Sequence, residues 1–138
     1  MTRYLLDTNI ISEIHKPKPH GGVLAWFGGL RDEQVCLSAV TLYELQAGIE
    51  RTRKQNPEKA DAIEAWVDEL EHSTEVLPMD GRCFREAARI MARKQEDPLY
   101  DDVMIAATAR LYKLIVATRN EKDFRRLRVE IINPFKSN

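Results

Sequence analysis

Cysteine is scarce: Cys36 and Cys83 are the only two, and neither stands in a C-x-x-C or Cys/His spacing. That excludes a disulfide scaffold and the usual zinc sites, so both are expected as reduced thiols in or near the core. Net charge is missing too, because 21 Lys and Arg nearly cancel 22 Asp and Glu. Without a global positive field, any contact with nucleic acid has to be local. No apolar run approaches the roughly 18 to 20 residues of a membrane span. The opening MTRYLLDTNIIS reaches an aspartate after two leucines and so lacks the apolar stretch of a secretory leader. A cytoplasmic protein with no membrane contact is expected. Repeats, linkers and low-complexity segments are absent, and residues 1–138 are expected to fold as one domain.

What is present alternates between two periods. Tyr4-Leu5-Leu6 reads as a buried strand that ends in a polar turn, Asp7-Thr8-Asn9, and a short helix follows through Ile14. Pro17, Pro19, Gly21 and Gly22 break the chain before a brief helix over Val23 to Leu30 and a strand over Gln34 to Leu37. Ser38 is placed to cap a helix from Ala39 to Lys54, and Asn56-Pro57 starts its hairpin partner. A strand at Glu75 to Leu77 leads through Pro78 and Asp80 into a helix to about Lys94. After Asp97-Pro98 a helix runs from Asp101 to Tyr112, followed by strands at Leu114 to Thr118 and Val129 to Ile132. Strands and helices in alternation predict an α/β layered fold with helices covering a mostly parallel sheet.

Ligand sites in such sheets gather beyond the carboxyl ends of the strands. Two polar turns fall there, Asp7-Thr8-Asn9 and Thr118-Arg119-Asn120, with Asp123 three residues beyond the second. Two more acids sit in apolar surroundings. Glu44 shares a helical arc with Val40, Ala47 and Gly48, and Asp102 shares one with Ile105, Ala106 and Ala109, so both are expected to point inward. An isolated buried carboxylate destabilises a fold, whereas several together are tolerable around a divalent cation. Magnesium suits oxygen ligands and keeps waters, and it can activate a water for attack on phosphorus. Taken one at a time the acids have blander readings: an Asx-turn for Asp7, a helix cap for Asp102, an ion pair with Arg51 for Glu44, a solvated first-turn acid for Asp123.

Four segments stand in order along the chain: LLDTNIISE, Y-E-L-x-x-G, D-x-x-I-A-A-T-A and A-T-R-N-x-x-D-F. Together they resemble the PIN-domain signature over nearly the whole chain, and the tail Asn133-Pro134-Phe135 is similar to those of VapC-like and FitB-like toxins of type II toxin–antitoxin pairs. The resemblance implies a three-layer PIN-like fold and a metal-dependent endoribonuclease that uses Mg2+, with Mn2+ as a possible substitute. It matches Asp7, Glu44 and Asp102 to the family's acidic triad and Asp123 to a frequent fourth acid. Asp7 and Asp102 are then the primary metal ligands. Glu44 and Asp123 act through water, hold a second ion or position the nucleophile. Thr8 or Asn9 orients the first carboxylate, and Arg119 steers a phosphate. Asn120 stands where some relatives carry aspartate, which leaves the metal count open. The D-x-x-I-A-A register selects Asp102 over Asp101, leaving Asp101 as a cap or exposed first-turn acid.

The same resemblance implies an RNA substrate, a homodimer, an antitoxin whose carboxy-terminal segment blocks the acidic pocket, and DNA contact only indirectly through that antitoxin. Trp26, Phe27 and Leu30 are candidates for lining the antitoxin groove. Ile63, Trp66, Val67 and Leu70 serve either as core or as a dimer or antitoxin surface. Arg82, Arg85, Arg89 and Arg93 recur at spacings of three, four and four and form a basic stripe opposite Phe84, Ala88 and Met91, either a solvated face or a contact for RNA. Alternatives are a non-enzymatic RNA- or antitoxin-binding module, an RNA-processing PIN nuclease without an antitoxin, and a phosphotransferase with Asp7 as nucleophile. Against the last, Asn9 occupies the place of the usual second aspartate.

Overall fold

The computed structural model describes residues 1–93 and 100–136. The expected helix end at Lys94 and the Asp97-Pro98 break lie outside them. Five strands, β1 (Tyr4–Leu6), β2 (Val35–Ser38), β3 (Glu75–Leu77), β4 (Ile115–Ala117) and β5 (Ile131–Ile132), form one sheet in the order β3-β2-β1-β4-β5. Every pairing is parallel, with Leu5 opposite Cys36 on one side and Val116 on the other. Parallel strands need crossovers, and here they are helices: α1 (Thr8–His15), α2 (Gly21–Gly28), α3 (Ala39–Arg53), α4 (Pro57–Ser73), α5 (Gly81–Ala92), α6 (Tyr100–Tyr112) and α7 (Glu121–Arg126).

Because side chains alternate across a strand, neighbouring residues feed opposite layers. Leu5, Cys36 and Val116 face one layer, where Ala87 and Ile90 of α5, Val103 and Ala106 of α6, and Phe124 of α7 close over them. Leu6, Leu37 and Ala117 face the other, against Ile10 and Ile11 of α1 and Val23 of α2. Each such side chain taken fully from water contributes about 1.5–3 kcal/mol. Three layers around a wholly parallel sheet bear out the expected architecture.

The differences are local. α2 begins at Gly21 rather than Val23, because His20 turns its Nδ1 toward the amides of Gly22 and Val23 and caps the helix. A side chain at position 22 would meet the His20 ring at 3.0 Å and the Pro134 carbonyl at 3.1 Å, so the glycine here serves close packing rather than chain breaking. β5 is shorter than expected because it pairs with β4 only through Ile131 and Ile132, and the preceding Arg128 takes a left-handed φ of 57°. On α5 the buried face is Cys83, Ala87 and Ile90, while Phe84 and Ala88, opposite the arginine stripe, are exposed. Both cysteines are free and buried, as expected.

The hairpin of α3 and α4 buries Ile49, Ala60 and Val67, with Ile63 and Trp66 packed against them. Trp66 also stacks on His15 with ring centroids 3.9 Å apart, and Leu70, Trp26, Phe27 and Leu30 pack partly buried onto the sheet. These aromatic and aliphatic side chains are core-forming rather than a free face.

Candidate metal-binding acidic cleft

β1 and β4 are adjacent, yet their onward connections run to opposite sides of the sheet: α1 and α2 lead from β1 to β2, and α7 leads from β4 to β5. This is the topological switch point, where a crevice opens beyond the strand ends. Asp7 follows β1 and Thr118 follows β4, and they meet across that seam. The Asp7 amide donates to the Ala117 carbonyl at 2.9 Å.

Three donors hold the Asp7 carboxylate. The Thr8 amide donates to Oδ1 at 2.8 Å, and Asn9 Nδ2 and the Thr118 hydroxyl donate to Oδ2 at 3.0 and 2.8 Å. Thr118 Oγ1 in turn accepts from the Asn120 amide at 2.9 Å, and Asn9 Oδ1 accepts from the Arg119 amide at 3.2 Å. The two polar turns thus form one interlocked unit. Burial pushes the Asp7 carboxyl above the ordinary carboxylate range, and the donors from Thr118, Thr8 and Asn9 oppose it.

Glu44 enters from α3, half-buried, and accepts from the Thr8 hydroxyl at 2.6 Å. Burial raises its pKa first, the Thr8 bond opposes that, and the negative charges of Asp101 and Asp7 raise it further. The alternative reading, an ion pair of Glu44 with Arg51, is not formed among the described residues. Asp102 enters from the first turn of α6, 9% exposed. Burial, then the charges of Asp7, Asp123, Glu44 and Asp101, push its carboxyl up to about 7. Five acids therefore act on one another from the β1–α1 turn, α3, α6 and α7, and sequence reasoning named four as site acids. Asp101, expected as a cap or exposed, is half-buried and hydrogen-bonds Glu44. Its partner lies on α3, and no local spacing reveals that.

Asp7, Asn9, Glu44, Asp102, Arg119 and Asn120 share the wall of an open cleft of about 440 Å³. Asp123 stands apart. It is exposed and lines the neighbouring groove along α7, reaching Asp102 through its charge. Other lining residues were not anticipated. Glu13 is buried at the end of α1, where the Lys16 ammonium at 2.9 Å and the His20 amide at 2.9 Å hold its carboxyl below the usual range. Phe135 from the chain's tail lies under the Arg119 guanidinium, 4.7 Å from ring centroid to Cζ.

Among the described residues no group of three His, Cys, Asp or Glu side chains forms a ready metal-holding cluster. The donor set nonetheless fits a hard divalent cation, since it offers only carboxylate, amide and hydroxyl oxygens and carries mutually repelling negative charge that a cation relieves.

A doubly wound parallel sheet with carboxylates gathered beyond its two central strands is the arrangement of PIN-like proteins. The chain belongs to the PIN domain family, which it matches over residues 4–130. It is 35% identical to the VapC ribonuclease Y4jK of Sinorhizobium fredii, over 96% of this chain and 97% of that protein. It is 34% identical to Toxin FitB of Neisseria gonorrhoeae, over 95% and 97%. Among solved structures, FitAcB from Neisseria gonorrhoeae superposes with a TM-score of 0.86 at 33% identity, covering 96% of this chain and 98% of that one. DNA-bound VapBC from Salmonella typhimurium follows with 0.77 at 29%, covering 97% and 99%. PIN-domain nucleases of the VapC type generally depend on a divalent metal.

Proposed function

We propose that this chain is the toxin of a type II toxin–antitoxin pair, a single-domain cytoplasmic endoribonuclease that hydrolyses RNA phosphodiester bonds with Mg2+ at the acidic cleft. The observation that carries the reading is the convergence of Asp7, Glu44 and Asp102 on one cleft at the switch point, where burial, and then the charges of its neighbours, push the Asp102 carboxyl up to about 7. Asp7 and Asp102 hold the metal. Glu44 and Asp123 complete the site through water or orient the attacking water. When bound, Mg2+, or Mn2+ in its place, supplies Lewis acidity toward the scissile phosphate and offsets charge in the transition state.

The chain's own residues do the positioning. Thr118, Asn9 and the Thr8 amide fix Asp7 so that one orientation of the carboxylate faces the cleft. The Thr8 hydroxyl ties Glu44 to the same turn. Arg119, supported by Phe135, stands where a substrate phosphate is steered toward the acids. The partners are an RNA substrate, a second copy of the chain and an antitoxin, with DNA reached only through the antitoxin. Support for these comes from relatives named as toxin and ribonuclease and from the solved VapBC complex on DNA. Among the described residues no helix is long and apolar enough to cross a membrane.

The test is cleavage of structured and single-stranded RNA by antitoxin-free protein with Mg2+, with chelator, and with Asp102→Asn. Cutting that needs metal and is lost in the variant is expected. A folded protein that binds RNA equally well in chelator but cuts nothing in Mg2+, and arrests no growth when expressed, is a binding module instead.

A further inference from the structure

Several cations on this molecule are answered by acids. Arg53 is met by Glu50, Asp61 and Glu64, Arg3 by Glu75, and Lys16 by Glu13. Among the described residues Arg93, Lys122 and Arg128 have no ion pair, and all three are exposed.

These unanswered charges line depressions that share walls. The acidic cleft shares Arg119 and Asn120 with a shallow groove along α7, where Lys122 and Arg126 stand. That groove shares Arg126 with a narrower pocket of about 150 Å³, walled by Arg93, Arg110, Arg126 and Arg128 around Ile90 and Leu127, with no acid among the described residues of its lining. α5 follows β3 and α6 precedes β4, so both helices start at the carboxyl edge of the sheet and end at the opposite edge. The arginine pocket, built on their final turns, therefore lies at the far end of the layer from the acids.

The acids along this path are largely spoken for. Glu121 is held by Arg125 at 3.1 Å and by Lys136 at 2.5 Å. Glu86 is shared between Arg89 and Arg110, each at 3.1 Å, which fixes Arg110 in the pocket wall and leaves Arg93 and Arg128 uncompensated. The exposed guanidinium groups of Arg93 and Arg128 stand beside that of Arg110, and planar forks of this kind suit phosphate oxygens.

We propose that the pocket of Arg93, Arg110 and Arg128 is a second phosphate-binding site, which holds the backbone of single-stranded RNA after it leaves the acidic cleft and passes along α7. That the polyanion is RNA rests on the nuclease reading of the cleft; that the pocket takes phosphates rests on its own charge and continuity. The single-stranded form is favoured because an open groove that follows the single helix α7 suits one backbone. The site makes affinity depend on RNA length without touching the bond that is cut.

The experiment uses full-length, antitoxin-free protein and a fluorescein-labelled 20-nucleotide oligouridylate in EDTA, titrated by anisotropy from low to moderate KCl. The variant is Arg93→Gln with Arg128→Asn, asparagine being chosen because it tolerates the left-handed backbone at that position. Binding at physiological salt should weaken about tenfold, and the slope of log Kd against log salt should fall by about 1.4, at ~0.7 per phosphate contact on a single strand. Lys54→Gln with Lys59→Gln, on the opposite layer, should bind as the wild type does. If Arg93→Gln/Arg128→Asn fails to fold, Arg93→Gln with Lys122→Gln replaces it.

Unchanged affinity and slope in the arginine variant overturns the site. So does equal loss in the lysine control, or displacement of the oligouridylate by an equal charge concentration of polyglutamate, which assigns the pocket to an acidic protein segment. Cleavage is scored separately with Mg2+ on a short oligonucleotide and on a long RNA. A variant that keeps its rate on the short substrate while KM rises on the long one supports the site. A wild type that cuts neither substrate refutes the nuclease reading, while the EDTA titration still decides the pocket.

Discussion

The Thr118 hydroxyl donates to Oδ2 of Asp7 at 2.8 Å, joining two side chains 111 positions apart in the chain. Thr118 is fully buried and also accepts from the Asn120 amide, so one hydroxyl locks both polar turns of the cleft together. Placement of Asp7 thus depends on that bond as well as on the turn that carries it.

Thr118→Val removes the hydroxyl at nearly constant volume. It strips a donor from a buried carboxylate and an acceptor from a backbone amide, a loss of about 1–3 kcal/mol. Urea unfolding should register the change, and RNA cleavage in Mg2+ should fall about tenfold as Asp7 loses its fixed orientation. Thr118→Ser should restore both, because it returns the hydroxyl. A valine variant with wild-type stability and rate would remove Thr118 from the positioning role.

Asp102 sets a pH dependence of stability in the metal-free protein. Its folded pKa, up to about 7, exceeds the unfolded value of 3.8, so between these limits the folded state retains a proton that the unfolded state has released. Stability is therefore full below about pH 4 as far as this group is concerned, and falls as pH rises toward and through 7. The loss is on the order of 2–4 kcal/mol at ~1.4 kcal/mol per unit of pKa difference. Thermal melts in EDTA at pH 5.5 and pH 8 should show it. Asp102→Asn should flatten the difference, melt higher than the wild type at pH 8, and cut no RNA. A pH-independent gap between variant and wild type would show that Asp102 does not titrate in this range.

Divalent cation should reverse the same destabilisation. Binding of Mg2+ only to the folded state adds RT ln(1 + [L]/Kd), about 2.7 kcal/mol when the ion is at a hundred times Kd. Differential scanning calorimetry at pH 8 should show a rise in Tm with Mg2+ in the wild type, and a much smaller one in Asp7→Asn, which keeps one acceptor oxygen but loses the charge. Equal rises in both would move the metal away from Asp7.

Asp101 and Asp102 are adjacent and both negative, yet they face different neighbours: Asp101 bonds Glu44, and Asp102 feels Asp7 first among its charged neighbours. Asp101→Asn should preserve the bond to Glu44, since an amide donates without needing a shared proton, and should leave cleavage within a few-fold of wild type. Asp102→Asn should abolish it. Single-turnover cleavage of one RNA by the two variants decides between them; the opposite ranking would exchange the two assignments.

Much of the architecture follows from local order. The strands are short apolar runs, the helices carry caps such as Ser38, Asn56 and Asp80, and strict alternation leaves little choice but a parallel sheet with helical crossovers. The acids were legible because a carboxylate among apolar neighbours, as at Glu44 and Asp102, is costly without a purpose. Helical periodicity, however, reports only which residues share a face, not which face a neighbour covers. On α5, Phe84 and Ala88 stand at spacings almost as regular as those of Cys83, Ala87 and Ile90, yet only the latter three are buried.

The sequence by itself determined the elements, their order and the identity of the charged groups, because backbone propensity, capping and apolar periodicity act over a few residues. Only the tertiary structure decided which of those groups meet. Asp7 and Thr118 become partners because β1 and β4 pair, Glu44 and Asp101 because α3 approaches α6, and Arg93 and Arg128 because α5 and α7 end beside the same pocket. Hydrogen bonds and Coulomb forces act through space over a few ångströms, so their partners are set by how the layers pack, not by distance along the chain.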